Sequence, residues 1–252
     1  MITTVIIKLN RLEMNHVTIK KGDSINVEAM TQLFMKSLIT RQVFRIPLEE
    51  RQAKDMLTAA YKTEVLFRGR SFIEDSYTIK NISKIASILT SERPKQGIMM
   101  CGRCGNGKTT MLYAIRAMVR FLNDIGMFER NDMGIVVKDA KEINVISRNV
   151  NDFGKLIRTE LLAIEDMGKE PLEVMVYGNV IAPVQDIIEY RYDKRLFTFI
   201  TTNLSPQEIT QRYGVRVGDR LKEMVSKIVF ENDSYRQVIA NQNRQKNGSS
   251  TG

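Results

Sequence analysis

A glycine-rich segment carries the residues with the clearest chemistry in this sequence. Residues 102–110 read GRCGNGKTT and fit the pattern G-x-x-x-x-G-K-[ST]. Glycines let a backbone curl around phosphate oxygens, and the N-terminus of a following helix adds positive potential. Lys108 would contact the β- and γ-phosphates of a nucleotide, and the Thr109 hydroxyl would ligate Mg²⁺. The predicted phosphate-binding residues are Gly102, Arg103, Cys104, Gly105, Asn106, Gly107, Lys108, Thr109 and Thr110.

Two acids and an amide stand at the ends of later apolar runs. In LLAIED, residues 161–164 have the pattern of a buried strand and lead to Glu165 and Asp166. The first acid would orient the Mg²⁺ shell and the second would polarise the attacking water. The usual order is Asp before Glu, so the reversed order predicts slow hydrolysis or a need for a partner. Asn203 ends the run FTFITTN, where its amide would hold the water or the γ-phosphate.

Three arginines follow Asn203. Arg216 and Arg220 lie one helical turn apart in YGVRVGDRL, and Arg236 lies in NDSYR. A guanidinium aimed at the γ-phosphate offsets transition-state charge, from the same chain or from a neighbouring subunit. Taken alone, each of these arginines is more often a solvated surface residue than a catalytic one.

Apolar runs that alternate with helical patterns position these residues. Strands are predicted at residues 98–101, 134–137, 161–164, 196–201 and 227–230, and helices at 78–91, 111–122, about 139–148, 180–193 and from 205 onward. This alternation predicts an α/β fold with a mostly parallel five-stranded sheet covered on both faces. Ligands of such sheets bind at the carboxyl ends of the strands, where the glycine-rich loop, the two acids and Asn203 all stand.

The regions outside this core are predicted from their patterns. Residues 1–75 are expected to form a separate, mostly helical region that docks a partner or packs on the core. Residues 76–239 form the core, and the polar tail 240–252 is expected to be disordered. The helical faces of the first region carry Met30, Leu33, Phe34 and Leu38, and then Ala53, Met56, Leu57, Ala60 and Tyr61.

Composition and charge narrow the class of protein. Hydrophobic residues make up 43% of the 252, yet no apolar run approaches the roughly 18 residues that a membrane span needs. The N-terminus lacks the layout of a signal peptide, so a cytoplasmic protein without a membrane partner is expected. The net charge of +9 favours anionic partners, nucleic acid first, although a merely basic surface also fits it.

The two cysteines do not suggest a metal site. Cys101 and Cys104 are spaced C-x-x-C, but they fall within the strand and loop of the phosphate motif. No second Cys/His pair accompanies them, and the single histidine, His16, is distant in sequence. We therefore interpret Cys101 as an apolar strand residue and Cys104 as an incidental loop residue.

The motifs together resemble a known family. GRCGNGKTT, LLAIEDMGKEP, FTFITTN, YGVRVGDRL and NDSYR occur in this order over roughly residues 78–239. They resemble the DnaC/IstB group of AAA+ ATPases, which includes bacterial replicative-helicase loaders and the helper ATPases of some transposons. The run MGKEPLEVMVYGNVIAPVQDIIEYRY falls where this group carries an extra helical insertion.

The resemblance implies a P-loop NTPase core of αβα layers that binds ATP and Mg²⁺. It also implies contacts with single-stranded DNA and ATP-dependent assembly of a homo-oligomer. Because few residues follow Asn203, we do not expect the separate helical lid that many AAA+ proteins carry. Loaders of this group also lack that lid. Matching positions assign Lys108 and Thr109 to Walker A, Glu165 and Asp166 to Walker B, Asn203 to sensor 1, Arg236 to sensor 2, and Arg220, ahead of Arg216, to the arginine finger acting on a neighbouring subunit.

Four functions are compatible with these motifs. The first is an ATP-hydrolysing loader of a replicative helicase, with Arg191, Lys194, Arg195 and Lys222 as candidates for the DNA path. The second is a helper ATPase that delivers a transposase to DNA. A small-molecule kinase is the third, although the TTN strand end and the paired arginines fit an assembling ATPase better. The fourth is a nucleotide-gated binding protein with little hydrolysis, which is compatible with the Glu165–Asp166 order.

Overall fold

The chain is described by a computed structural model that covers residues 26–37, 43–232 and 234–235. Its contacts separate a first unit, Met1–Gln42, from a second, Val43–Gly252. In the first unit, helix α1 spans Val27–Ser37, and the Asn26 side chain accepts a hydrogen bond from the Ala29 amide at 2.9 Å. This bond caps the helix at the position where Asn is favoured. The predicted tail 240–252 lies outside the described residues, as does Leu38 of the predicted α1 face.

The second unit is built on a five-stranded parallel sheet. The strands in chain order are β1 (Gly97–Gly102), β2 (Ile135–Asp139), β3 (Leu161–Met167), β4 (Val174–Val176), β5 (Asn179–Ile181), β6 (Thr198–Thr202) and β7 (Ser226–Phe230). The main sheet has the order β2–β3–β6–β1–β7 with every neighbouring pair parallel, and β4 and β5 form a separate antiparallel hairpin. The predicted α/β fold with a mostly parallel sheet is confirmed.

Helices cover both faces of this sheet. They are α2 (Glu50–Phe67), α3 (Ser76–Thr90), α4 (Lys108–Asp124), α5 (Ala140–Ile146), α6 (Val150–Arg158), α7 (Pro183–Asp193) and α8 (Pro206–Met224). Side chains alternate between the two faces along a strand. In β1, Ile98 and Met100 pack with α2, α3 and α4, whereas Met99 and Cys101 pack with α5, α7 and α8. Strands β1 and β3 are mainly apolar because both of their faces are buried, whereas the edge strands β2 and β7 each carry exposed residues.

The boundary of the core lies earlier than the sequence predicts. Residues 43–75 were expected to belong to a separate N-terminal region, but the second compact unit begins at Val43. Helix α2 buries Ala53, Leu57 and Tyr61 in the same apolar cluster as α3 and α4. An amphipathic pattern reveals that a helix has a buried face, but it does not reveal which element covers that face.

Two local structures differ from the predicted helices. The helix expected at about 139–148 is followed by a second, α6, because the Asn149 side chain accepts hydrogen bonds from the amides of Asn151 and Asp152 and starts a new helix. The expected helical insertion begins instead with the β4–β5 hairpin. Tyr177 and Gly178 have φ angles of 48° and 81° at its turn, as two-residue hairpin turns require.

Among the described residues, no helix has the length and apolar character needed to cross a membrane.

Candidate nucleotide-binding site

The loop between β1 and α4 has a shape that depends on glycine. Gly102, Gly105 and Gly107 have φ angles of 147°, 86° and 96°, a region that other residues rarely adopt. Gly102 also lacks space, because a Cβ there would lie 2.4 Å from Nδ2 of Asn106 and 2.5 Å from the carbonyl oxygen of Phe230. The glycines therefore shape a loop that leads into the N-terminus of α4, where an anion is favoured.

Lys108 is enclosed by this loop. Its Nζ donates hydrogen bonds to the carbonyl oxygens of Gly102 and Arg103, both at 2.7 Å, and to Oδ1 of Asn106 at 3.0 Å. Burial lowers the pKa of Lys108 from its usual value, while the nearby charge of Asp166 opposes that shift. The loop thus presents a buried ammonium held by neutral oxygens, and an anionic phosphate would bind it more strongly.

The end of β7 and the residues after it form hydrogen bonds with the glycine-rich loop. The Asn106 side chain donates to the Phe230 carbonyl at 2.8 Å, and the Asn232 side chain donates to the Asn106 carbonyl at 3.1 Å. The Tyr235 amide donates to the Gly105 carbonyl, also at 3.1 Å. In the sequence, the segment NDSYR is notable only for its arginine; these supporting contacts carry no recognisable motif.

The two predicted acids stand at the end of β3. Asp166 has a positive φ of 56°, and its amide donates to Oγ1 of the buried Thr201 at 2.9 Å. Its Oδ2 lies 2.5 Å from Nζ of Lys169. Glu165 accepts a hydrogen bond from the Tyr113 hydroxyl at 3.4 Å. Strand β6 therefore holds the backbone of Asp166 and Lys169 holds its carboxylate, whereas the Glu165 carboxylate is contacted by Tyr113 of helix α4.

A cavity of about 280 Å³ joins these elements. Strands β1, β3 and β6 are neighbours in the sheet, so their carboxyl ends open into the same space. The predicted site residues that line it are Cys104, Gly105, Asn106, Gly107, Lys108, Thr109, Thr110, Glu165, Asp166 and Asn203. Gly102 and Arg103 do not line the cavity, but their carbonyl oxygens hold Lys108.

The sequence analysis did not predict all of the residues that line the cavity. Helix α2 and the segment after it contribute Tyr61, Val65, Arg68, Arg70, Ser71, Phe72 and Ile73. Lys169 and Tyr235 contribute from elsewhere in the chain. The apolar and aromatic groups of this cavity wall suit a nucleobase, and its cations suit phosphates. The mixed run VLFRGRSFI was the available signal, but a run of this kind is also typical of an ordinary helix end.

A cluster of hydroxyl groups fixes this wall to the C-terminal segment. The Tyr235 hydroxyl lies 2.5 Å from Oδ2 of Asp75 and 2.7 Å from Oγ1 of Thr78. Burial, aided by the Asp75 charge, raises the pKa of Tyr61 to about 12. Burial likewise raises the pKa of Tyr235. Both tyrosines therefore keep their protons at neutral pH.

The predicted arginines lie apart from the cavity. Arg216 and Arg220 follow a kink in α8 at Gly214, whose φ is 85°, and neither lines the cavity. Arg220 pairs with Glu189 at 3.0 Å and with Asp193 at 3.5 Å, and 15% of its side chain is exposed. Arg216 pairs with Glu189 at 3.3 Å while 70% of its side chain is exposed. The predicted sensor 2 residue, Arg236, lies outside the described residues.

Arg191, a candidate for the DNA path, is a structural residue. It is fully buried, and its guanidinium donates to Oγ1 of Thr198 at 2.8 Å and to the carbonyl oxygens of Thr159 and Phe197 at 2.6 and 2.7 Å. The DNA-path hypothesis is therefore wrong for this residue. Of the other candidates, Lys194, Arg195 and Lys222 are exposed.

The chain that carries this site matches a known protein family. A sequence model of the family described as IstB-like ATP binding protein matches residues 14–244 of the chain. The chain belongs to the IstB-like family. The resemblance of its motifs to the DnaC/IstB group of AAA+ proteins is thereby confirmed, and ATP is the nucleotide that this family binds. No match was found among curated proteins.

Solved structures are similar to this IstB-like chain. DnaI is 17% identical, with 77% of this chain and 96% of DnaI covered and a TM-score of 0.50. The DnaC helicase loader is 20% identical over 63% of this chain and 92% of its own, with a TM-score of 0.48. A putative primosome component from Streptococcus pyogenes serotype M3 is 16% identical, covering 65% and 84%, with a TM-score of 0.47. At 17% identity the likeness to DnaI concerns the fold alone, and this fold is that of a P-loop NTPase.

The cavity of the IstB-like chain offers oxygen ligands of the kind that Mg²⁺ prefers. Thr109 and Glu165 both line it. Within the described part of the chain, no group of three or more His, Cys, Asp or Glu side chains could hold a metal by itself. Mg²⁺ commonly takes one or two protein ligands and completes its shell with phosphate oxygens and water, so these residues fit a nucleotide-bound ion. The thiols of Cys101 and Cys104 are free, the first buried and the second exposed.

Proposed function

We propose that this IstB-like protein binds Mg²⁺-ATP in the 280 Å³ cavity and hydrolyses it. The observation that carries the proposal is the meeting of Lys108, Glu165, Asp166 and Asn203 in one space. Glu165 and Asp166 lie at the carboxyl end of β3, Asn203 follows β6, and Lys108 begins the helix after the β1 loop. These three strands are neighbours, and a nucleotide would lie at their carboxyl ends. In this proposal, the apolar wall formed by Val65, Phe72 and Ile73 receives the base.

Binding of the phosphates falls to the loop and its lysine. Lys108 exchanges the carbonyl oxygens of Gly102 and Arg103 for oxygens of the β- and γ-phosphates, because charged acceptors form stronger hydrogen bonds than neutral ones. Mg²⁺, when bound, neutralises phosphate charge as the terminal phosphate departs. Thr109 and Glu165 would hold it.

Hydrolysis requires a water in line with the bond between the γ-phosphorus and the β,γ-bridging oxygen. Asp166 polarises that water and takes its proton, while Asn203 holds the water or the γ-phosphate by its amide. The water oxygen bonds to the γ-phosphorus, the bond to the bridging oxygen breaks, and ADP and phosphate result. Asp166 is paired with Lys169, so we expect slow turnover by the isolated protein.

An arginine from a neighbouring subunit completes the site in this account. Arg216 and Arg220 do not line the cavity of their own chain, as expected of residues that act across an interface. The sequence favours Arg220 for this role. The exposure of the side chains favours Arg216, since Arg220 would first have to leave both Glu189 and Asp193.

We further propose that ATP-dependent assembly on single-stranded DNA serves the loading of a replicative helicase. The net charge of +9 supports an anionic partner, and the family relationship supports an assembling ATPase. Delivery of a transposase to DNA is the second candidate, and the IstB-like description of the family favours it. A replication gene or a transposase gene beside this one would distinguish the two roles.

The assembly is tested by sedimentation of the full chain with a fluorescent single-stranded oligonucleotide. We expect large complexes with ATP and the oligonucleotide together, and smaller species with ADP or with the Lys108→Ala variant. A sedimentation profile that is the same with ATP and with ADP would contradict the assembly part of the proposal.

A further inference from the structure

The sequence analysis assigns no role to Lys169, yet this residue lines the cavity together with Asp166. Its Nζ lies 2.5 Å from Oδ2 of Asp166, and its amide donates to the Asp166 carbonyl at 3.1 Å. The two residues thus form a closed turn directly after the acid that is proposed to polarise water. A cation at this place covers the carboxylate that hydrolysis needs.

The backbone around Lys169 is anchored on both sides. The Asp166 amide is held by the buried Thr201, and the Gly168 amide donates to Oε2 of Glu170 at 2.8 Å. Glu170 is itself buried and accepts a hydrogen bond from the Tyr213 hydroxyl. With the backbone fixed in this way, movement is left to the lysine side chain, 45% of which is exposed. Its flexible four-carbon stem permits such movement.

The positive charge of Lys169 affects the ammonium group of Lys108 in the same cavity. Burial is the main cause of the lowered pKa of Lys108, and the positive charge of Lys169 adds to it. Two ammonium groups in one electrostatic environment repel each other unless an anion lies between them. A triphosphate brings more negative charge to this space than a diphosphate does.

We propose that Lys169 is a second phosphate-binding lysine, which leaves Asp166 for the terminal phosphate when a nucleoside triphosphate binds. This inference rests on the proposed function. With a diphosphate bound, Lys169 remains on Asp166 and the carboxylate stays occupied. With a triphosphate bound, the ammonium contacts the γ-phosphate and Asp166 becomes free to accept a proton from water. Lys169 therefore makes the site respond to the third phosphate.

A second ion pair in the chain provides a matched control. Lys155 pairs with Asp152 at 3.5 Å, with the same spacing and order as Lys169 and Asp166. This pair lies on helix α6, and 81% of the lysine side chain is exposed. Lys155 does not line the cavity. A Lys→Gln substitution removes the same charge at both places, but only one of them faces the proposed phosphate site.

The test compares the affinities of the full chain for ADP and for a non-hydrolysable ATP analogue by calorimetric titration with Mg²⁺. Lys169→Gln should weaken binding of the analogue about tenfold, because a charge-assisted hydrogen bond to phosphate is lost, and should leave ADP affinity within about twofold. Lys155→Gln should change neither affinity. Lys169→Arg, which keeps the charge, should retain most of the preference for the analogue. The rate of ATP hydrolysis is a poorer measure of phosphate binding. Lys169→Gln also frees the Asp166 carboxylate, which could raise the rate while ATP binding weakens.

Equal weakening of both nucleotides by Lys169→Gln, or no weakening of either, would overturn the role of Lys169. Should the glutamine variant fail to fold, Lys169→Met and Lys169→Arg provide the same comparison. If the wild-type chain binds neither nucleotide, the proposed function falls, and this inference falls with it. If the wild type binds ADP and the analogue, and Lys169→Gln keeps the wild-type preference for the analogue, only this inference falls.

Discussion

The side-chain amide of Asn106 donates a hydrogen bond of 2.8 Å to the carbonyl oxygen of Phe230, the last residue of β7. The same side chain accepts a hydrogen bond from Lys108 at 3.0 Å. One buried amide therefore connects the phosphate-binding lysine to the edge of the sheet. The shape of the loop depends on this strand end as well as on the glycines of the loop itself.

Gly102→Ala should disrupt that arrangement. The added methyl group would meet both Asn106 and the Phe230 carbonyl at about 2.5 Å or less, and backbone atoms cannot yield cheaply. We expect a loss of about 2–4 kcal/mol in the free energy of unfolding, measured with urea, and at least about tenfold weaker ATP binding.

Gly126→Ala is the control for this substitution. Gly126 also has a positive φ, 72°, but no atom lies within 4 Å of the position that the added methyl group would take. Only the backbone cost of about 1–2 kcal/mol is expected, with unchanged ATP binding. Equal effects of the two substitutions on ATP binding would mean that contact with Asn106 and Phe230 does not shape the loop.

Arg191→Met should destabilise the fold strongly. The fully buried guanidinium donates to the carbonyl oxygens that end α6 and precede β6, and its loss leaves these acceptors buried without a donor. We expect a cost of about 3–5 kcal/mol in urea unfolding, as for other buried charged networks. Arg120→Met is the control, because Arg120 pairs weakly with Asp124 at 3.8 Å and 81% of its side chain is exposed. A cost below about 1 kcal/mol for Arg191→Met would refute its structural role.

Arg191 illustrates what the sequence could not supply. An arginine on a helix in a basic protein is usually solvated, and its acceptors come from α6 and the approach to β6. Those acceptors are main-chain carbonyl oxygens, which leave no residue signature. The phosphate loop was predictable because it needs specific residue types at fixed spacing. Strands β1 and β3 were predictable because both of their faces are buried and their residues are mainly apolar.

The cavity wall formed by Tyr61, Val65 and Phe72 was also only partly predictable from the sequence. Tyr61 and Val65 come from α2, whose amphipathic pattern was evident, and Phe72 follows that helix. The packing of α2 against α4 is a tertiary contact that the pattern does not specify. The β4–β5 hairpin was missed for a different reason. Its Tyr177–Gly178 turn places a tyrosine at positive φ, a conformation that a bulky residue rarely adopts.

Arg216→Ala should lower ATP turnover roughly 100-fold with little change in ATP affinity, as for loss of a group that acts on the transition state. Mixing the Arg216→Ala and Lys108→Ala proteins tests whether Arg216 acts on the site of a neighbouring subunit. The Arg216→Ala protein retains its own cavity, and the Lys108→Ala protein retains Arg216. We expect the mixture to hydrolyse ATP faster than the two variants do separately, measured by phosphate release. A mixture no more active than the sum of its parts, with Arg220→Ala showing complementation instead, would assign the role to Arg220.

Tyr61 should make the fold sensitive to alkaline pH. Its pKa is raised from 10.0 to about 12 in the folded chain, so between these values the folded state holds a proton that the unfolded state has lost. Stability is therefore intact below pH 10 and falls as pH rises above it, by up to about 1.4 kcal/mol per pH unit from this group. Urea unfolding at pH 9 to 11.5 should give a shallower decline for Tyr61→Phe than for the wild type. Parallel declines would show that Tyr61 ionises equally in both states.

Steady-state ATP hydrolysis over a series of protein concentrations tests the central claim most directly. The full chain is measured with and without single-stranded DNA, and Lys108→Ala provides the background. Our account predicts DNA-stimulated phosphate release that rises faster than protein concentration, because a neighbouring subunit must complete each site. ATP that binds with ordinary affinity and is never hydrolysed, at any concentration and with DNA present, would contradict it and favour a nucleotide-gated binding protein.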